Sequence, residues 1–233
     1  MSVAGKHAVV TGGSRGIGQA IAALLARHGA HVSVVSRAQA DVGDETQVRS
    51  AFAACRQKYG PIAILVNNAG IAESAPIART TTEMWNRTIA TNLTGTFLCT
   101  RESVPDMEGA RWGRIVNVAS TAGLGGAPYI SAYCASKHGV VGFTRALAVE
   151  LARSGITVNA ICPGYTETEL MQRAVENIVS RTGRTEAEAR ELMAQGNPQG
   201  RIATVDEVAQ GVLDLIEGPH NGVALVLPGG ALV

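Results

Sequence analysis

Six short runs rich in Val, Ile, Leu and Ala recur along the chain, at His7–Thr11, His31–Ser36, Ile62–Val66, Arg114–Val118, Ile156–Ile161 and Val223–Leu227. Near-continuous apolar character suits strands that are covered on both faces. The segments between them read as helices. From about Gly16 to His28, the residues Ile17, Ile21, Leu24 and Leu25 share one face, and Gly29 supplies the stop. Asp44, with Gln47 three residues on, opens a second helix whose inner face runs through Val48, Phe52 and Cys55. Two long helices are predicted at roughly Thr82–Met107 and Ala132–Arg153; a helical region follows Thr168, and Thr204-Val-Asp-Glu caps another. Strand and helix alternating in this way imply an α/β fold, a doubly wound parallel sheet with helices on both faces. At 233 residues, 46% of them hydrophobic, the chain suits a single domain over 1–233.

One stretch breaks the pattern. Only Ala38, Gln39 and Ala40 lie between Arg37 and Asp41. A parallel neighbour needs a crossover of about a dozen residues or more. No third strand therefore pairs parallel to the second here, and the sheet is expected to lack that edge strand.

Twenty basic and nineteen acidic residues leave a formal charge of +1, with no basic excess for nucleic acid or an anionic membrane. No apolar run approaches the ~20 residues of a membrane span, and the N-terminus shows no signal-peptide core. Cys55, Cys99, Cys134 and Cys162 are scattered without metal-ligand spacing, as are the five histidines, so no metal is expected. These cysteines read as reduced thiols of a cytoplasmic protein; Cys134, beside Tyr133, is either reactive or packed.

Chemistry concentrates in Tyr133-Cys-Ala-Ser-Lys137, thirteen residues after Ser120 at the end of an apolar run. Positions i and i+4 of a helix share a face, which brings the Lys137 ammonium near the Tyr133 phenol. A free phenol has a pKa of about 10. A nearby cation favours phenolate and is expected to draw that pKa toward the working range. Ser120 is placed to hold the same substrate oxygen.

The turn Thr11-Gly12-Gly13-Ser14-Arg15-Gly16-Ile17-Gly18 joins the first strand to the first helix. Glycines let backbone approach a pyrophosphate closely, and a helix N-terminus offers it free N–H groups. Gly12, Ser14, Arg15, Gly16, Ile17 and Gly18 are therefore expected to contact the phosphate side of a dinucleotide. The spacing differs from Gly-x-Gly-x-x-Gly. At the end of the second strand stand Ser36 and Arg37 where an NAD enzyme places an acid. Arg37 and Arg15 suit a 2′-phosphate, which favours NADP over NAD; otherwise both are solvated surface charges.

Taken together, the ordered motifs resemble the short-chain dehydrogenase/reductase family over essentially the whole chain. They are Thr-Gly-x-x-x-Gly-x-Gly at 11–18, Asn67-Asn68-Ala69-Gly70, Asn92, Ser120 with Tyr133 and Lys137, and Pro163-Gly164. The stretch Ser136–Phe143 looks like that of 3-oxoacyl reductases, 3-hydroxyacyl-CoA or cyclic-alcohol dehydrogenases and polyketide ketoreductases. About twenty residues that the family carries after the second strand are missing, and a few before the last. The resemblance implies hydride exchange between NADP(H) and a ketone or secondary alcohol. Tyr133 would move the proton, Ser120 would hold the oxygen, Lys137 would also bind the nicotinamide ribose, and Asn92 would hold a relay water. Asn92 would otherwise serve as a structural hydrogen-bonder in its helix.

By the same resemblance Asn67, Asn68, Ala69 and Gly70 line the cofactor's ribose and adenine side, unless they merely close a buried strand. Asp41 is either an adenine contact or a loop cap. Pro163, Gly164, Thr166 and Thr168 lie near the nicotinamide, and Tyr165 faces substrate or packs. Residues 169–200 form the substrate lid, whose arginines suit a CoA or carrier-protein thioester, although interleaved glutamates equally make an ordinary solvated face. The two long helices resemble the family's dimerising pair, so a homodimer or homotetramer is expected. An NAD-dependent 3-hydroxyacyl-CoA or cyclic-alcohol dehydrogenase is the alternative. A non-catalytic dinucleotide sensor is a remoter one, since it has no need of Ser120, Tyr133, Lys137 and Asn92 together.

Overall fold

A computed structural model describes residues 2–229 and 231–233. Strand β1 (His7–Thr11) is buried at every position, with β2 (His31–Val35) on one side and β3 (Ile64–Asn67) on the other. Beyond β3 come β4 (Gly113–Val118), β5 (Ile156–Pro163) and β6 (Ala224–Leu227), all parallel, in the order β2-β1-β3-β4-β5-β6. Every residue of β3 and β4 is buried too, which accounts for their largely apolar character.

Successive side chains of each strand serve opposite layers. Ala8, Val10, Ile64 and Val66 meet Ile21 and Leu25 of α1 (Gly16–Arg27) and Val208, Val212 and Ile216 of α8 (Val205–Glu217). Val9, Leu65, Ile115 and Val158 meet the other layer. That layer is Phe52 of α2 (Glu45–Tyr59), Leu98 and Met107 of α4 (Gly95–Ala110) and Ala148 of α5 (Ser131–Glu150). Asp44 caps α2 by accepting from Gln47 N at 3.0 Å, and Thr204 with Glu207 forms a capping box on α8.

The helix predicted over 82–107 is not continuous. It divides into α3 (Thr82–Ile89), a π-helical turn at Ala90–Thr94, and α4. Such turns widen the helix by one residue and cluster at functional sites. Asn92 sits in this one, and Thr96 Oγ1 donates to the Asn92 carbonyl at 2.8 Å.

The missing edge strand is real, and the chain compensates for it locally. Val34 O and Ser36 N lie on the edge of β2 away from β1, where the next strand would bond them. The Gln39 side chain takes that strand's place, donating Nε2–H to Val34 O at 3.1 Å and accepting from Ser36 N at 2.7 Å. The short linker then crosses directly to the π-helical turn. A Cβ on Gly95 would lie 2.7 Å from Val42 Cγ2, so only glycine admits that approach. At the far edge, residues 231–233 fold back antiparallel on β6 through Ala224 N to Val233 O and Val226 N to Ala231 O, both 2.8 Å.

At the amino end of β1, His7 is buried between β2 and the end of α2. Its Nδ1 donates to Gly60 O at 2.8 Å, so Nε2 is the acceptor for Ser33 Oγ at 2.9 Å. Burial holds the imidazole below its ordinary 6.5, despite the opposing pull of the Gly60 carbonyl and Asp106. A folded pKa below the unfolded one means that the unfolded chain binds more protons. His7 therefore contributes its full stability above pH 6.5 and loses it as pH falls below that value. Melting temperatures taken between about pH 7.5 and 5.5 should fall for the wild type and fall less steeply for His7→Asn. Parallel curves would show that His7 has no part in the pH dependence.

Candidate active site

The carboxyl ends of β1 and β3 mark the point where strand order reverses, the usual binding crevice of an open α/β sheet. Thr11, the last residue of β1, accepts at Oγ1 from Asn68 N and Ala69 N, both 3.1 Å. The Asn68 carboxamide returns the tie, donating to Thr11 O at 3.0 Å and Gly12 O at 3.1 Å. Gly12 and Gly16 take positive φ, 65° and 53°. A Cβ on Gly18 would lie 2.4 Å from Asn68 Nδ2 and 2.5 Å from Gly12 O. The turn thus stays drawn in, and no side chain caps the amino end of α1. Its free N–H groups fit the phosphates of a dinucleotide.

Ser120 follows β4 and caps a short 3₁₀ turn, accepting at Oγ from Ala122 N at 3.1 Å. Tyr133 lies in the first turn of α5, with its phenol near enough to the Ser120 hydroxyl for that group to draw its pKa down. Lys137, one turn on, is 5% exposed and donates Nζ–H to Val118 O at 2.7 Å. Asn92 faces the same space. Its Oδ1 accepts from Ile71 N at 2.8 Å, and Nδ2 donates to Ile71 O at 2.9 Å and Ser136 Oγ at 3.0 Å. A Cβ on Gly70 would stand 3.3 Å from Asn92 Oδ1 and 3.7 Å from Lys137 Nζ. Asn92, Ser120, Tyr133 and Lys137 are therefore gathered at one mouth beside the glycine turn.

The electrostatics differ from the expectation for the phenol. Burial raises the Tyr133 pKa above its ordinary 10, and the neighbouring Ser120 hydroxyl draws it back. Lys137 stands over the ring of that phenol. Its Nζ lies 5.7 Å from the Tyr133 ring centroid, over the ring face, with a proton committed to Val118 O. Burial lowers Lys137 itself to about 8, so it remains largely a cation at neutral pH.

Several other expectations are corrected or sharpened. Asn67 does not line the mouth: it is 4% exposed, and its Nδ2 donates to Thr100 Oγ1 at 3.0 Å and Asn117 Oδ1 at 2.9 Å within the core. Asp41 serves as a loop cap, accepting from Gly43 N at 3.0 Å and pairing with Arg37 at 3.1 Å. Arg15 pairs with Glu169 at 2.8 Å. Ser136, one residue before Lys137, went unassigned in the sequence. It accepts from Asn92 and donates to Tyr133 O at 2.7 Å, joining two site residues; its place inside Tyr-x-x-Ser-Lys was the available signal.

Pro163 ends β5, and the loop after it closes the mouth. Thr166 is buried and bridges to Ala203, while Thr168 caps α6 (Glu169–Thr182) by accepting from Met171 N at 3.2 Å. A Cβ on Gly16 would meet Thr168 Cγ2 at 3.5 Å, so this loop adjoins the glycine turn. The following α7 (Glu186–Gln195) sends Arg190 to Glu167, and Arg201 pairs with Glu207. Arg190 within the 169–200 stretch and Arg201 just past it are thus each matched by a carboxylate. Among the described residues, no helix is long and apolar enough to cross a membrane.

Comparison with known proteins agrees with this geometry. Residues 6–179 match the family described as short chain dehydrogenase. The chain is 37% identical to a D-beta-hydroxybutyrate dehydrogenase of Rhizobium meliloti, over 88% of each chain. It is 40% identical to a putative ketoacyl reductase of the granaticin polyketide synthase of Streptomyces violaceoruber, over 87% of this chain and 83% of that one. A crystal structure of an actinorhodin polyketide ketoreductase variant with NADPH superposes with a TM-score of 0.87 at 36% identity, covering 97% and 96% of the two chains. Gly18→Ala should drive a methyl into the strap between Asn68 and Gly12 and weaken dinucleotide binding at least about tenfold. Wild-type affinity for NADPH and NADH in fluorescence titrations of that variant would refute the turn's assignment.

Proposed function

The chain belongs to the short-chain dehydrogenase family and is an oxidoreductase of ketones and secondary alcohols, and on that premise we propose that it reduces a 3-oxoacyl thioester or similar ketone with NADP(H). The observation that carries this reading is the convergence of Ser120, Tyr133, Lys137 and Asn92 beside the glycine turn. The ketoacyl reductases among its relatives support the substrate class. The helical stretch 169–200 is read as the lid over the substrate.

The bound nicotinamide dinucleotide would supply or accept the hydride. Gly12, Ser14, Arg15, Gly16, Ile17 and Gly18 would hold its phosphates, Arg37 its 2′-phosphate, and Asn68, Ala69 and Gly70 its adenosine and ribose side. Pro163, Gly164, Thr166 and Thr168 would face the nicotinamide. Everything else falls to the chain's own groups. Two hydroxyls, Ser120 and Tyr133, converge where a carbonyl oxygen can accept from both as negative charge develops on it. Because burial keeps the phenol above 10, Tyr133 is protonated at neutral pH, the form that a reductase needs in its proton donor. Lys137, charged below about 8, adds positive potential from beneath the ring and would bind the nicotinamide ribose. Asn92, held by Ile71 and Ser136, positions the proton supply behind Lys137.

An NAD-linked reading has one observation in its favour. Arg37 and Arg15 are both already paired with carboxylates, and the Ser36 hydroxyl donates to Gln39, leaving only lone pairs for a ribose hydroxyl. Arg37→Asp decides between the two. Under the NADP reading it raises KM for NADPH much more than for NADH, and an unchanged ratio transfers the preference to NAD. For the chemistry, Tyr133→Phe should lower kcat by about a hundredfold or more while leaving NADPH affinity within about twofold. Retained ketone reduction in that variant would remove Tyr133 from the mechanism.

A further inference from the structure

Asn197 lies beyond α7, at the root of the lid, and only 4% of it is exposed. Its whole carboxamide is committed to backbone. Oδ1 accepts from Tyr165 N at 2.7 Å, while Nδ2 donates to Tyr165 O at 2.8 Å and Arg201 O at 2.7 Å. One side chain thus bonds both backbone polar groups of Tyr165, as a neighbouring strand would, and closes the 197–201 turn with its remaining proton. Gly164 bears the imprint of the contact, since a Cβ there would lie 2.0 Å from Asn197 Oδ1. Further ties run alongside: Ala203 N to Tyr165 O at 3.0 Å, Glu167 N to Ala203 O at 2.9 Å, and Arg190 to Glu167.

The loop 164–168 therefore has two neighbours. One is the root of the lid; the other, through Thr168, is the glycine turn. An apolar residue could fill the space of Asn197 but would leave Tyr165 N and Arg201 O without these bonds and Tyr165 O with Ala203 N alone. A requirement so specific exceeds what filling a gap demands. We infer that Asn197 is a positioning residue that fixes the Gly164–Thr168 loop against the cofactor and mechanically links that loop to the lid. It touches no reacting atom. The inference rests on the reading of this loop as the nicotinamide-facing one.

Two substitutions separate positioning from mere packing. Asn197→Asp keeps the shape and the acceptor but sets a carboxylate against two carbonyl oxygens; Asn197→Val removes all three bonds. In both, Kd and KM for NADPH should rise about tenfold with a smaller change in kcat. NADPH should also cease to protect the lid's Arg173, Arg181 and Arg184 from trypsin. Gly164→Ala alone should impair NADPH binding, and Gly164→Ala combined with Asn197→Ala should recover part of the loss, because the methyl then has space. Should Asn197→Val not fold, the Asp variant and the Gly164 pair decide the matter. A lower melting temperature with wild-type Kd, KM and lid protection would overturn the inference while leaving the cofactor reading intact. Wild-type protein that binds neither NADPH nor NADH would instead overturn both.

Discussion

A lysine ammonium buried to 5% exposure is the costly feature around which this mouth is arranged. Taking an ammonium out of water costs several kcal/mol, and the last carbonyl of β4 is what receives it, at 2.7 Å. That bond needs β4 to end at Val118 and α5 to lie close beneath the mouth. Two glycines permit the approach. A Cβ on Gly123 would meet the Lys137 carbonyl at 2.7 Å, and one on Gly70 would press on Asn92 Oδ1 at 3.3 Å. The remaining cost appears as a lysine that titrates near 8 rather than 10.5.

The same burial acts in opposite senses on the two titrating groups. It favours neutral amine and neutral phenol alike, lowering Lys137 and raising Tyr133. In the free protein the site is therefore an acid: a protonated phenol with a cation under its ring. Ser120 is the one group that draws the phenol back toward its usual range. A site of this kind suits donation of a proton to a developing alkoxide, the direction taken in the proposed function.

The shortened linker after β2 shows how a doubly wound sheet loses an edge element without losing its crevice. The crevice lies between β1 and β3, with β2 and β1 between it and the lost edge. What the missing strand would have bonded is taken up by Gln39, and what it would have covered is partly filled by Val42 against Gly95. The rim of the sheet beside the lost edge is thus built from a tight turn in which Ser36 holds Gln39 and Arg37 holds Asp41.

Periodicity and punctuation in the sequence determined the six strands, their parallel arrangement, the trimmed edge and the placing of Tyr133 and Lys137 one turn apart on one helix. These are local patterns: unbroken apolar runs, caps at Asp44 and Thr204, and an i, i+4 pair on a helix. Only the tertiary structure decided which way each polar side chain faces. Asn67 and Asn68 are adjacent, yet one enters the core and the other straps the glycine turn, because alternate strand residues point to opposite sides. The π-helical turn at Asn92 and the grip of Asn197 on Tyr165 were equally beyond local reading. Each depends on partners more than twenty residues away, and the depth of burial that sets the charges of Tyr133 and Lys137 exists only once the layers have closed around them.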